Sequence, residues 1–292
     1  MSLQTKENIF QQILAKSAFF VAAVLFLFFL TLLVKAWLAI WSNGFDFFTG
    51  AVWDPLTGVY GAFPLLFGTL LTSVLALLLT LPFALSIALF LGEFFRKGLA
   101  ASALRSSVEL LAGIPSVVYG FWALFVLVPL IRGLEITLGV VPLGVGVLAA
   151  SLVLAIMIVP YAASLSAETI KLVPQDIREA AYSLGATRYE VVRRVILPHA
   201  RSGICAAVLL ALGRALGETM AVTMVIGNAN KMPASLFDAG NTMASLIANE
   251  LAEATDPLYV SSLMQVGLLL FLVSALINLA GRYVVKKFSV ET

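Results

Sequence analysis

The chain has 292 residues, 61% of them hydrophobic and only 12% charged, with a mean hydropathy of +1.03, which excludes a soluble globule and places it in a bilayer. Its net charge of +2 carries no message until it is divided between the two sides of a membrane. A lone Cys205 and a lone His199 exclude a disulfide framework and a Cys/His metal cluster.

Six apolar segments are long enough to span, since a helix needs about 20 apolar residues to cross. They are placed at 17–41, 62–92, 108–131, 142–164, 203–227 and 261–282, within a single transmembrane domain over 1–292. The first is too long and too far from the N-terminus for a cleaved signal and is expected to remain as an anchor. The second contains Pro82, which predicts a tilt or kink.

Lys and Arg settle the expected orientation. One alternate set of connections holds fourteen of them: Lys6, Lys16, Arg96, Lys97, Arg105, Lys171, Arg178, Arg188, Arg193, Arg194, Arg201, Arg282, Lys286 and Lys287. The other set holds only Arg132 and Lys231, so both termini are expected in the cytoplasm. Lys35, beside Trp37 and Trp41, is expected to snorkel to the opposite headgroups. The first outer connection carries Phe45, Phe47, Phe48, Trp53 and Tyr60, which suits either an interfacial belt or a short lid.

Between spans four and five lies a polar interval, 165–202. Asp176 and Glu179 have capping-box spacing, and Pro174 cannot continue a preceding helix. Ile177, Ala180, Ala181 and Leu184 then share one helical face, and Gly185 supplies a C-terminal turn. Thr187 and Glu190 repeat the capping-box spacing before Val191, Val192, Val195 and Ile196, and Pro198 follows. The pattern is helix, glycine turn, helix. Its small alanine face suits docking of another surface, and equally a hairpin packed on its own membrane helices.

The fifth span carries Arg214 and Glu218 at membrane depth, where charges are costly and face a protein interior or a water-filled path. Four residues apart on one helix, they are expected to share a face and to pair. Gly213 and Gly217 form an adjacent small-residue stripe. Two readings stay open on chemistry alone: a structural pair, or a guanidinium that meets a passing anion with Glu218 keeping it oriented. Thr72, Ser116 and Thr219 are polar enough to line such a path. The stretch 228–260 is the longest outer connection, and 243–251 within it fits a short amphipathic helix.

Two sets of motifs resemble a known family. Glu179-Ala180-Ala181, then Gly185, then Val195-Ile196-Leu197-Pro198 resembles the EAA loop of binding-protein-dependent ABC importer permeases, with Val195 where that family usually has Ile. The run GRALGETMAVTMVIGN from Gly213 to Asn228, LLAGIPSVVYGFW from Leu110 and GTLLTSVLALLLTLP from Gly68 resemble its phosphate-specific members, of the PstC type rather than the PstA-type sister.

The resemblance implies an all-α membrane protein of the MetI-like ABC importer permease fold, six transmembrane helices with cytoplasmic coupling helices between spans four and five. It implies that Asp176, Glu179, Ala180, Ala181, Leu184 and Gly185 dock against an ATP-binding subunit, and that Arg214, Glu218 and Thr219 lie on the phosphate pathway. The implied partners are a sister PstA-type permease, two ATP-binding subunits and a periplasmic phosphate-binding protein, besides membrane lipid, with no nucleic acid. The implied location is the cytoplasmic (inner) membrane of a bacterium or archaeon. No GxxxxGK[ST] loop occurs, so ATP is expected on the partner subunits, with no cofactor or metal on this chain. A permease for sulfate or molybdate, or a membrane sensor or scaffold without transport, are the rival expectations; an intramembrane enzyme is not expected, because no Ser/His, paired-Asp or metal constellation lies at membrane depth.

The outer connections hold seven acids, Asp46, Asp54, Glu135, Asp238, Glu250, Glu253 and Asp256, against two basic residues. That face repels free anions, so delivery by a docked binding protein is expected rather than electrostatic steering.

Overall fold

The computed structural model describes residues 3–95 and 97–288; Arg96 and the side chain of Lys6, counted above among the basic residues, lie outside them. Among the described residues six helical stretches are long and apolar enough to cross a membrane: Phe10–Asn43, Phe63–Phe94, Ser116–Leu138, Val147–Lys171, Arg188–Leu216 and Pro257–Lys287. Helices are the natural outcome, because lipid offers no hydrogen-bond partner to an open backbone.

Helix α1 (Leu3–Asn43) packs on α13 (Pro257–Phe288), and of its described side chains only Ala36 and Ala39 are buried. The seam is zipped at one end by polar contacts. Ser261 Oγ receives the Ala39 N–H at 3.0 Å and donates to the Lys35 carbonyl at 2.8 Å, and Asn43 Nδ2 reaches Gln265 Oε1 at 3.2 Å. Lys35 is exposed, and Trp37 meets Trp41 edge to face at 5.9 Å, as an interfacial anchor requires.

Helix α2 (Asp46–Thr49) and a two-stranded antiparallel hairpin, β1 (Trp53–Asp54) with β2 (Val59–Tyr60), follow α1. They settle the connection between the first two spans as a packed cap: Phe47, Trp53 and Tyr60 are buried with Leu65, Met243, Leu246 and Leu263. Helix α3 (Phe63–Leu89) runs unbroken through Pro82 and ends in a π-helical segment, Phe90–Phe94.

The third span departs from expectation. A separate helix α4 (Leu99–Gly113) comes first, and the span begins only at α5 (Ser116–Trp122), continuing through a π segment, Ala123–Leu127, into α6 (Val128–Leu138). Pro115 is the reason. Ile114 before it is extended, with ψ 128°, as a residue preceding proline prefers, so the apolar run from 108 cannot be one helix.

Helix α7 (Val147–Lys171) is the centre of the bundle, flanked by α3 and α10 (Leu197–Leu216) and buried along most of its length. Its core partners include Ala76, Ala84, Ala211 and Ala215, small residues that let the helices approach closely. Thr80 Oγ1 donates across to the Ala155 carbonyl at 3.1 Å. Helix α7 starts after Gly144 and Gly146, both at positive φ, and runs seven residues past 164, which shortens the polar interval. Within that interval lie α8 (Gln175–Ser183) and α9 (Arg188–Val191), the latter joined to α10 by a π segment, Val192–Ile196. After α10 come α11 (Met220–Val225) and α12 (Met243–Glu250).

Candidate functional site

The fifth span is the second departure. Helix α10 stops at Leu216, three residues intervene, and α11 restarts at Met220. Arg214 therefore occupies the last turn of one helix and Glu218 precedes the first turn of the next, each at the dipole end that favours its charge. Glu218 Oε1 accepts the Ala221 N–H at 3.4 Å and so serves the start of α11. The expectation of a pair along one continuous helix face is corrected by this break: among the described residues the ion pairs are Lys171–Glu168 and Arg178–Glu93, not Arg214–Glu218.

The partner Arg214 does have is Tyr161 of α7. The guanidinium carbon lies 4.5 Å from the ring centroid, with Arg214 itself exposed. Tyr161 is anchored in turn, its hydroxyl donating to the Ala112 carbonyl at 3.2 Å, and Tyr119 donates to the adjacent Leu111 carbonyl at 2.8 Å. Two tyrosines thus donate to carbonyls in the last turn of α4, where the Pro115 break ends the helix; the Leu111 carbonyl also accepts the Ile114 N–H at 3.4 Å. Tyr161 stands outside the motif residues, which is why the chain alone did not single it out.

The break at 217–219 opens onto a cavity of about 490 Å³ lined by Gly217, Thr219, Ala244, Ile247, Ala248, Leu251, Ala252 and Leu270. Non-helical backbone at membrane depth is tolerated where it faces such a space. Thr219 Oγ1 donates to the Gly217 carbonyl at 3.3 Å. Arg214 is not part of this lining. Of the other hydroxyls, Thr72 is buried and donates to the Gly68 carbonyl at 2.8 Å, so it faces packing rather than a path, and Ser116 is half-buried at the start of α5. Helix α12 is realised as the amphipathic pattern predicts, but Met243, Ala244, Ser245 and Leu246 are buried, so one face belongs to the molecule's interior.

At the opposite end of the bundle, α8 and α9 form the expected hairpin. Gly185 has φ +81°, the left-handed turn that only glycine adopts without strain. The second capping box is complete: Thr187 Oγ1 accepts the Glu190 N–H, and the Glu190 carboxylate accepts the Thr187 N–H at 2.9 Å. The first is not. Pro174 occupies the capping position and Asp176 sits inside the first turn, because Gln175 is already helical. Gln175 Nε2 instead donates to Glu179 Oε1 at 2.7 Å. Asp176, Glu179 and Ala180 are exposed, Ala181 is half-buried, and Leu184 is 90% exposed. Leu184 and Ala180 thus leave apolar surface bare at this end of the bundle.

The acids expected on the outer face are less free than their count suggests. Glu135 is fully buried in α6, where Oε2 accepts the Gly144 N–H at 2.6 Å, so it is corrected from an outer-surface charge to an interior one. Glu250 accepts from Trp53 Nε1 at 2.8 Å, Tyr259 Oη at 2.7 Å and Asn230 Nδ2 at 2.9 Å, tying the hairpin to α12 and α13. Asp238 caps the Ala234 and Ser235 N–H groups, and Asp256 those of Leu258 and Tyr259.

A family described as "Binding-protein-dependent transport system inner membrane component" matches residues 82–290. The phosphate transport system permease protein PstC of Haemophilus influenzae is 42% identical over 96% of this chain and 93% of its own length. That of Mesorhizobium japonicum is 41% identical over 90% and 85%, and a probable PstC of Methanocaldococcus jannaschii is 35% identical over 95% and 93%. In fold the chain is like a subunit of a bacterial alginate ABC transporter, with a TM-score of 0.65 and 17% identity over 97% of each chain. It is also like an inward-facing MetNI methionine ABC transporter, with a TM-score of 0.60 and 19% identity over 82% of this chain and all of that one. The chain therefore belongs to the family of binding-protein-dependent transport system inner membrane components, and within it resembles the PstC permeases along nearly its whole length.

Proposed function

We propose that this chain is the membrane-spanning permease subunit of an ATP-driven importer of inorganic phosphate, lying in the cytoplasmic membrane with both termini inside. The observation that carries the reading is the near full-length likeness to PstC permeases. The interrupted fifth span lends it chemistry. A guanidinium presents a planar fork matched to phosphate oxygens, and one stacked on Tyr161, with no carboxylate bonded to it among the described residues, keeps its donors available for an anion. Polar side chains and free backbone groups at a helix break are also where transporters gather binding groups.

ATP binds to partner subunits, which dock on the exposed face of α8, with Leu184, Ala180 and Ala181 at its centre and Asp176, Glu179 and Gly185 around it. A phosphate-binding protein delivers substrate at the opposite end, and a sister permease of the same fold completes the path past Arg214, Glu218 and Thr219. Docked binding protein and bound ATP each favour a different arrangement of the spans, which is what drives alternation. The test is phosphate uptake at low external phosphate in cells carrying the complete transporter, unmodified or with Arg214→Gln. Loss of uptake in an assembled variant is expected. Undiminished uptake would make Arg214 structural, and uptake of sulfate or molybdate in place of phosphate would overturn the substrate assignment.

A further inference from the structure

Helix α8 has one buried residue, and it is an arginine. Arg178 forms an ion pair with Glu93, with the two side chains 6% and 8% exposed, and its Nη2 donates to the Ile170 carbonyl at 2.6 Å. One planar fork therefore ties α8 to the end of α3 and to the end of α7 at once. Helix α9 reaches the same place with a second arginine. The Arg188 guanidinium lies 4.2 Å from the Phe94 ring centroid and Nη2 donates to the Phe94 carbonyl at 3.4 Å.

Both recipients belong to the π segment Phe90–Phe94. That segment is wedged rather than loose: a side chain added at Gly92 would meet Ile170 of α7 at 2.8 Å, and the Phe90 and Phe95 rings stack at 4.6 Å. A π segment carries an extra residue in its turn, re-aims the side chains at a helix end, and recurs at functional positions. Apart from these contacts α8 presents mostly exposed residues, so its hold on the bundle is polar and directional instead of a broad apolar seat.

We propose, resting on the reading of the chain as an ATP-driven permease, that Arg178 and Arg188 are the joints through which movement of α8 and α9 reaches the spans, with the π segment Phe90–Phe94 as the receiving part. A water-excluded fork with two partners moves as a unit with both, so displacement of α8 drags the ends of α3 and α7 together. Helix α7 is continuous from Ile170 back to Tyr161, about 14 Å at 1.5 Å per residue, and Tyr161 holds Arg214. Arg178 and Arg188 are thus positioning residues, far from the substrate.

The experiment measures ATP hydrolysed and phosphate accumulated in the same vesicles containing the complete transporter. Three variants are compared with the unmodified chain: Glu93→Gln with Arg178→Gln together, which removes both charges of the buried pair; Arg178→Lys; and the surface change Arg188→Ala. The proposal expects ATP hydrolysis to persist while phosphate moved per ATP falls at least about fivefold in the double variant, with Arg188→Ala lowered less and Arg178→Lys partly restored. A purely structural role would lower the amount of assembled transporter and leave that ratio unchanged. An unchanged ratio in the double variant and in Arg188→Ala overturns the proposal, and if the double variant does not assemble, an unchanged ratio in Arg188→Ala overturns it alone. No phosphate uptake in the unmodified transporter would overturn the functional reading itself, whereas an unchanged ratio in a working transporter overturns only the joints.

Discussion

Replacing Tyr161 separates an arginine that is held ready from one that is merely present. Tyr161→Leu removes the ring under the Arg214 guanidinium, now 4.5 Å from its centroid, and the hydroxyl bond to the Ala112 carbonyl. Arg214 is exposed, so the stacking is worth about 0.5–1 kcal/mol, and losing it frees a long side chain to wander. On the reading that Arg214 meets the anion, that lost pre-organisation raises the KM for phosphate roughly two- to fivefold while the maximal rate changes little. Tyr161→Phe keeps the ring and loses only the hydroxyl bond, so its KM should stay within about twofold of the unmodified value. Initial-rate uptake of labelled phosphate over a concentration series measures both. Equal KM values for Leu and the unmodified chain would refute the argument, as would Phe behaving like Leu, since the hydroxyl and not the ring would then matter.

Other outcomes follow from single contacts. Leu184→Asp puts a charge on a side chain that is 90% exposed, so the chain should fold normally while co-purification of the ATP-binding subunits drops; retained co-purification removes Leu184 from the docking surface. Ala181→Asp should do the same and also abolish phosphate-dependent ATPase stimulation. Gly68→Ala drives a methyl to within 2.1 Å of the Asn241 carbonyl, a backbone atom that cannot step aside, and should cost about 1–3 kcal/mol, read as a lower unfolding midpoint in detergent. Glu250→Gln weakens a carboxylate that accepts from Trp53, Tyr259 and Asn230, and should cost about 1.5–3 kcal/mol with a changed Trp53 emission; unchanged emission would mean the hairpin is held by its apolar contacts alone.

Most of the architecture was legible along the chain because lipid imposes one rule at every position. A backbone in hydrocarbon must satisfy itself, so long apolar runs read directly as spans, and the counts of Lys and Arg assign them an expected orientation. The polar hairpin was legible too. Its stops and starts are local chemistry: Gly185 at positive φ and the reciprocal bonds of Thr187 and Glu190 require only neighbours in sequence. Where Asp176 was read as a cap, the error was two residues, because the helix already starts at Gln175 with Pro174 in the capping position.

What only the tertiary structure decided is where a helix stops for reasons outside its own pattern. Hydropathy carries through the breaks at Ile114–Pro115 and Gly217–Thr219, since the residues flanking both are mostly apolar, and a four-residue spacing promised Arg214 a carboxylate that the second break denies it. The ring that does meet Arg214 lies 53 positions earlier, on α7, and the pair that fixes α8 joins Arg178 to Glu93 across 85. Spacing rules reach one helical turn. Contacts between residues so far apart are set by how α3, α7 and α10 pack, through alanines whose positions say that helices come close but not which side chains then meet.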